Sequence, residues 1–222
     1  MRRSALAVAV VLLAAVAVTP AQAVAAQQYE SDSTSTSQVI VEGTSTMHDW
    51  EAKGEILHGQ LNLTEADTTS LWSKPSPPRK IAPSAKVEIP VESLKSGKSA
   101  MDQKMHEALK AQTNPAITYR LQSAQTQADQ NARQAGTEEW VLVETTGVLT
   151  VAGKSRTVEI PMRLRWLPES KLEVSGETTL RMTDFGITPP KLMGGILRTG
   201  DKVRVRWKCV LVPAANASPN EQ

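Results

Sequence analysis

The chain has 222 residues, with 25 Lys and Arg against 23 Asp and Glu. Arg2 and Arg3 fall in an N-terminal leader, and without them 23 basic residues face 23 acidic ones, a balance unsuited to holding nucleic acid by counterion release. The single Cys209 excludes an intramolecular disulfide framework and leaves a zinc site little to draw on.

Arg2 and Arg3, an apolar run from Ala5 to Val18, Pro20 and the small-residue site Ala21-Gln22-Ala23 predict a signal peptide over 1–23, cut after Ala23. The Phe-Leu-Lys continuation of a twin-arginine signal is missing, so ordinary secretion to a periplasmic or extracellular destination is expected. No later run stays apolar for about 18 residues, so the mature chain is expected to lack a transmembrane segment. Residues 24–37, small and polar, read as a disordered leader, and 213–222 as a disordered tail. Residues 38–212 form one all-β domain in this reading.

Strand signals begin at Gln38 and continue through Val39 to Thr44, Trp50 to Ile56, Gln60 to Leu63, Val87 to Val91, Ile117 to Ser123 and Trp140 to Val151. Glu65 to Ser84, with Pro75, Pro77, Pro78 and Pro83, reads as a surface excursion, and Gln125 to Glu138 as an extended hairpin loop. Between Ser99 and Gln112, Met101, Met105 and Leu109 recur every four residues, which predicts a short amphipathic helix ended by Asn114-Pro115. Three C-terminal stretches then alternate with a period of two. Val158, Ile160, Met162, Leu164 and Trp166 share one parity, as do Leu172, Val174, Thr178, Leu180 and Met182, and Val203, Val205, Trp207, Cys209 and Leu211. Such strands have one dry and one wet face and belong to an antiparallel sheet. Cys209 falls on the dry face as a small buried hydrophobe.

Eight or nine strands of this kind build a barrel or a sandwich, and an eight-stranded closed sheet would have an interior filled by side chains or holding one small ligand. The dry faces mix Trp50, Tyr119, Met162, Met182 and Trp207 with small residues at Ala52, Gly54 and Gly176, and the pattern alone leaves both interiors open. His48, His58 and His106 match no metal-ligand spacing. Asp49 would point away from His48 on an extended strand, so the pair is poorly placed for general base chemistry. No Gly-x-Ser-x-Gly elbow and no glycine-rich phosphate loop occurs, so no enzyme, cofactor or metal is expected. Lys95, Lys98, Lys104 and Lys110 cluster around the short helix and read as a solvated face ahead of a surface for acidic headgroups or an anionic partner. Asn62-Leu63-Thr64 and Asn216-Ala217-Ser218 match the glycosylation acceptor pattern, which matters only in a eukaryotic secretory pathway and commonly arises by chance.

Several segments resemble the YceI-like family of exported lipid-binding proteins. They are Val41-Glu42-Gly43-Thr44-Ser45-Thr46-Met47-His48-Asp49-Trp50, Val91-Glu92-Ser93-Leu94, Met101 to Lys110, Asn114-Pro115-Ala116-Ile117-Thr118-Tyr119, Gly147-Val148-Leu149-Thr150-Val151-Ala152-Gly153, Met182-Thr183-Asp184-Phe185-Gly186-Ile187 and Gly200-Asp201-Lys202-Val203. The resemblance implies an extended eight-stranded antiparallel lipocalin-like barrel with a short helix near one end. It further implies no catalytic residue and a long amphiphile inside, such as an isoprenoid, an isoprenoid quinone or a fatty acyl chain. Carried onto this chain, the barrel lining comprises Trp50, Ile56, Val87, Ile89, Tyr119, Leu121, Val158, Ile160, Met162, Leu164, Leu172, Val174, Leu180, Met182, Val205 and Trp207, with Met101, Met105 and Phe185 near one end. The partner is then a hydrophobic small molecule, with no protein or membrane-enzyme partner specified. The chain departs from the family in its long proline-rich excursion and its single phenylalanine. A packed barrel serving as a structural or protein-interaction module is the alternative.

Overall fold

The computed structural model describes residues 26–35, 37–54, 58–72, 80–81, 83–127, 140–192 and 197–214. The predicted signal peptide and most of the tail lie outside these residues. In chain order the elements are β1 (Ala26–Ser31), β2 (Gln38–Ser45), β3 (Trp50–Gly54), β4 (His58–Thr64), α1 (Glu65–Trp72), β5 (Lys80–Ile81), β6 (Ser84–Pro90), α2 (Ser99–Ala108), β7 (Ala116–Thr126), β8 (Val141–Val151), β9 (Lys154–Trp166), β10 (Leu172–Arg181), β11 (Lys191–Leu192) and β12 (Leu197–Pro213).

Every strand pairing among the described residues is antiparallel, and the sheet runs β1-β4-β6-β7-β8-β9-β10-β12 before β1 pairs back onto β12. The wall is therefore a closed barrel. Two of its strands are built in halves. β12 pairs with β2 along Val203 to Lys208 and with β1 along Leu211 to Pro213, while β3 pairs with β2 and β4 pairs with β1. Closure between β1 and β12 removes edges that would otherwise template pairing with other chains, while the outer side of β3 is tied by the Lys53–Lys95 bridge.

Ala26–Ser31, expected within the disordered leader, thus forms the strand that closes the ring. The polar run Gln27-Gln28-Tyr29-Glu30 carries no alternating signal, and it is held by long-range ladders to two partners. The jog between β1 and β2 is set by Asp32. Its Oδ1 accepts from the Thr34 amide at 2.8 Å and the Thr34 hydroxyl at 2.6 Å, and its Oδ2 accepts from the Ser35 hydroxyl at 2.6 Å. The hydroxyls of Ser35 and Thr34 hold this carboxyl far below the usual carboxylate range.

The excursion after Leu63 begins as a helix rather than an irregular loop. Thr64 Oγ1 accepts from the Asp67 amide at 3.1 Å while Asp67 Oδ2 accepts from the Thr64 amide at 3.0 Å, a reciprocal cap that starts α1. Leu71 is buried, and Trp72 stacks on Trp166 with ring centroids 4.8 Å apart, while Tyr29 tilts against the same ring at 6.0 Å. Trp166, assigned above to the dry face, is instead 36 % exposed at the barrel end, where it carries this stack. Trp72→Ala should lower stability by about 2 kcal/mol and the melting temperature by roughly 4–8 °C. Thermal unfolding followed by circular dichroism checks this, and an unchanged transition would show that the stack does not hold α1.

Glu173 has the outward parity of β10, yet it is 5 % exposed. Its carboxylate accepts from Arg165 Nη2 at 2.8 Å and lies 3.5 Å from Lys208 Nζ, and the Arg165 guanidinium lies 4.6 Å over the Trp140 ring. Burial of the charge is compensated by these two cations on the neighbouring strands.

The predicted helix over Ser99 to Gln112 is observed as α2, Ser99–Ala108. It stops before Asn114-Pro115, because Lys110 adopts φ 56° and turns the chain out of the helical register. Most of the loop predicted over Gln125 to Glu138 lies outside the described residues, while β7 extends through Thr126 into its start.

Candidate functional site

The inward side chains do not fill the barrel. They leave an apolar cavity of about 730 Å³ that reaches from Leu71, Cys209 and Leu211 at the α1 end to Met101, Met105 and Phe185 at the α2 end. β9 alone has 13 residues. At about 3.3 Å per residue and a tilt of about 40°, such a strand gives a barrel roughly 33 Å long.

Glycines explain how three large rings share this interior without blocking it. Gly43 lies opposite Trp50 and Gly176 opposite Trp207, and a Cβ on either glycine would run into the indole. A Cβ on Gly147 would meet the Tyr119 ring, 2.5 Å from its hydroxyl oxygen. Each ring therefore lies along the wall over a glycine of the next strand, a pairing that also shields the bare backbone. Trp50 Nε1 donates to the Thr44 carbonyl at 3.3 Å, which satisfies its polar edge at the wall.

A buried hydroxyl pair, Tyr119 and Thr145, interrupts the apolar lining, which also carries Gln60 and Thr178. Tyr119 and Thr145 are 7 % and 4 % exposed, both line the cavity, and their hydroxyl oxygens are 3.0 Å apart. Thr145 Oγ1 donates to the Ile160 carbonyl at 2.7 Å. Burial pushes the Tyr119 hydroxyl above its ordinary pKa, against the opposing effect of the Thr145 contact, and burial likewise raises the Cys209 thiol.

α2 lies across one end of the barrel. Met101, Met105 and Ala108 line the cavity and no residue of the helix is fully buried, so the methionine part of its apolar face rests on the cavity, while Ala108 at its C-terminal end also packs against the cluster around Phe185 and Ile187. Asp102 Oδ1 accepts from the Ser96 amide at 2.7 Å and the Ser96 hydroxyl at 2.6 Å, and His106 Nε2 bonds the Leu94 carbonyl at 2.9 Å. The Ser96 contacts hold the Asp102 carboxyl below its ordinary value.

Exposed lining residues mark an opening at this end: Met47 and His48 of the β2–β3 turn, Lys98 and Lys104 beside the α2 face, Arg181 of β10 and Arg198 of β12. The turn and β12 are tied by the Thr46 amide donating to the Arg198 carbonyl at 3.0 Å. Arg181 lies 3.7 Å from Asp201, and Lys104 is 2.7 Å from Glu107. Met47 is 69 % exposed.

The predicted lining residues come together around this one cavity, apart from three. Ile56 lies outside the described residues. Leu172 is wholly buried where it faces Trp166 and Leu211 across the ladder, so closure of the α1 end leaves no space at its side chain. Val158 is half-buried and packs against the cluster around Phe185 and Ile187 instead of facing the cavity. Leu61, Val143, Leu149 and Val203 also line the cavity, and the alternation of their strands was sufficient to place them there. Thr145 escapes the pattern because it is polar on a dry parity, and Leu71 because the proline-rich run after it hides the helical signal of α1. Among the described residues no group of three His, Cys, Asp or Glu side chains could hold a metal ion, and no helix is long and apolar enough to cross a membrane.

No curated protein matches the chain by sequence. Among solved structures, BcnA of Burkholderia cenocepacia is similar with a TM-score of 0.57 at 19 % identity, covering 78 % of this chain and 95 % of that one. A polyisoprenoid binding domain from Saccharophagus degradans, implicated in plant cell wall breakdown, is similar with a TM-score of 0.58 at 14 % identity, covering 83 % and 98 %. At such identities the likeness is one of fold. The description of the YceI-like domain matches residues 29–211, from Tyr29 in β1 to Leu211 in β12, the two strands whose pairing closes the barrel. The chain belongs to the YceI-like family.

Proposed function

We propose that this protein is an exported, non-enzymatic carrier that holds a long hydrophobic chain, an isoprenoid, an isoprenoid quinone or a fatty acyl chain, inside its barrel. The observation that carries the reading is the apolar cavity of about 730 Å³, within the range of roughly 300–1,000 Å³ that takes small-molecule ligands. Its extent along the barrel suits a chain better than a compact molecule. Each buried methylene contributes about 0.8 kcal/mol, so a long tail gains affinity without many polar contacts, offset by the cost of ordering it. The polar and basic opening suits a head group held near water. A packed barrel acting only through its surface is disfavoured by the same cavity, and the polyisoprenoid binding of the Saccharophagus domain supports the carrier reading by analogy of fold.

Native mass spectrometry of protein made in an export-competent host tests both halves of the proposal. The expected result is a chain that begins at Val24 and carries a stoichiometric lipid mass, identified after organic extraction. A chain that retains residues 1–23 would refute export by this signal. Protein that gains no mass after incubation with isoprenoid quinones or fatty acids would refute the carrier.

A further inference from the structure

The hydroxyl chain inside the cavity has a fixed direction, and that direction selects a ligand chemistry. Ile160 O is a carbonyl and can only accept, so the one proton of the Thr145 hydroxyl is committed to it at 2.7 Å. Tyr119 must then donate its own proton to Thr145 Oγ1 across 3.0 Å. With both protons spent, what the pair offers the cavity is oxygen lone pairs. The phenol stays protonated in this setting, because burial raises its pKa.

The geometry points to a site at mid-barrel depth, formed by Tyr119 and Thr145, that accepts a hydrogen bond from a hydroxyl carried along the ligand's chain. This rests on the carrier reading and names the chemistry of its ligand: a hydroxylated long-chain amphiphile rather than a ketone of the same skeleton. A ligand hydroxyl adds a hydrogen bond to the Tyr119 oxygen without disturbing the chain of donors. A ligand carbonyl gains a bond only if Tyr119 turns its proton away from Thr145, an exchange of one bond for another. Gly147 sustains the arrangement, since a side chain there would displace the Tyr119 ring from the wall and meet the Arg120 carbonyl oxygen at 2.6 Å. The depth follows from the neighbours of the pair. Tyr119 packs with Leu149, Phe185 and Ile187 toward α2, while Val143, on the same strand as Thr145, packs with Leu164 and Leu211 toward α1.

Titration of tryptophan fluorescence with octadecanoic acids bearing a hydroxyl or an oxo group at carbon 3, 6, 9 or 12 provides the test, with Trp50 and Trp207 as reporters in the cavity wall. At the position that reaches the pair, the hydroxy acid is expected to bind about three- to tenfold more tightly than its oxo counterpart, the worth of one net hydrogen bond. Thr145→Val frees the Tyr119 proton for a ligand carbonyl, so the preference should vanish or invert. Tyr119→Phe should reduce it while leaving the ring in place. If the acids bind but no position favours the hydroxyl, or if Thr145→Val leaves the preference intact, this site is refuted and the carrier stands. If only isoprenoid quinones bind and none of the acids does, this site is refuted and the carrier stands; if neither binds, the carrier reading falls and takes the site with it.

Discussion

Replacing Met101 and Met105 together by glutamine is expected to weaken binding of a long acyl or prenyl chain by about thirtyfold. The two side chains lie one helical turn apart on α2, and both line the cavity. Full burial of a methionine side chain is worth about 1.5–3 kcal/mol, and these two are half-buried, so together they should supply about 2 kcal/mol to a chain lying beneath them. Glutamine keeps the volume and the helix propensity while removing the apolar surface. Because no α2 side chain is fully buried and the barrel ladders do not include the helix, far-ultraviolet circular dichroism and the melting temperature should change little. Fluorescence titration with octadecanoic acid reads the outcome. Unchanged affinity in the double variant would show that the chain does not lie under α2, and would move the ligand toward the α1 end.

Gly176→Val should destabilise the barrel by about 3 kcal/mol and lower its melting temperature by roughly 6–12 °C. Gly176 faces inward on β10 directly opposite Trp207, and a Cβ there would collide with the indole and lie 2.8 Å from the Pro161 carbonyl oxygen. The ring can move only into the cavity, and the carbonyl belongs to the neighbouring ladder and cannot move far. The cost is therefore at the upper end of the overpacking range. The same displacement should narrow the cavity and weaken chain binding. Trp207→Leu in the Gly176→Val background should recover at least about 1 kcal/mol, since residues in contact do not add. Strict additivity of the two substitutions in a denaturation cycle would refute the claim that the glycine exists to seat the ring.

The period of two in β9, β10 and β12 was legible because one wall of these strands faces apolar interior and the other water, a contrast that acts residue by residue. The antiparallel class followed from it, as did most of the lining. The α2 face was legible for the same kind of reason, through methionines four residues apart. The cap of α1 was also written locally, in Thr64 and Asp67, but the proline-rich run beyond it obscured the signal. β1 had no such signature. It is a strand because β4 and β12 supply partners distant in sequence, and nothing within Ala26–Ser31 encodes that.

Whether the barrel encloses space was likewise beyond the pattern. Alternation states which side chains turn inward, but volume depends on which residues meet across strands. The register that sets Trp207 on Gly176 and Trp50 on Gly43, and that lays Tyr119 over Gly147, is a long-range property. Leu172 and Val158 share the inward parity with true lining residues, and only their neighbours in three dimensions remove them from the cavity. Thr145 shows the converse: a polar residue on a dry parity acquires its place through a hydroxyl on β7 and a carbonyl on β9. The amino-acid sequence by itself determined an antiparallel sheet with a dry inner face and a short amphipathic helix, because those rest on local periodicity. The closure through β1, the cavity and the direction of the Tyr119–Thr145 hydroxyl chain were decided only by tertiary structure, because each depends on which distant residues the strand register brings into contact.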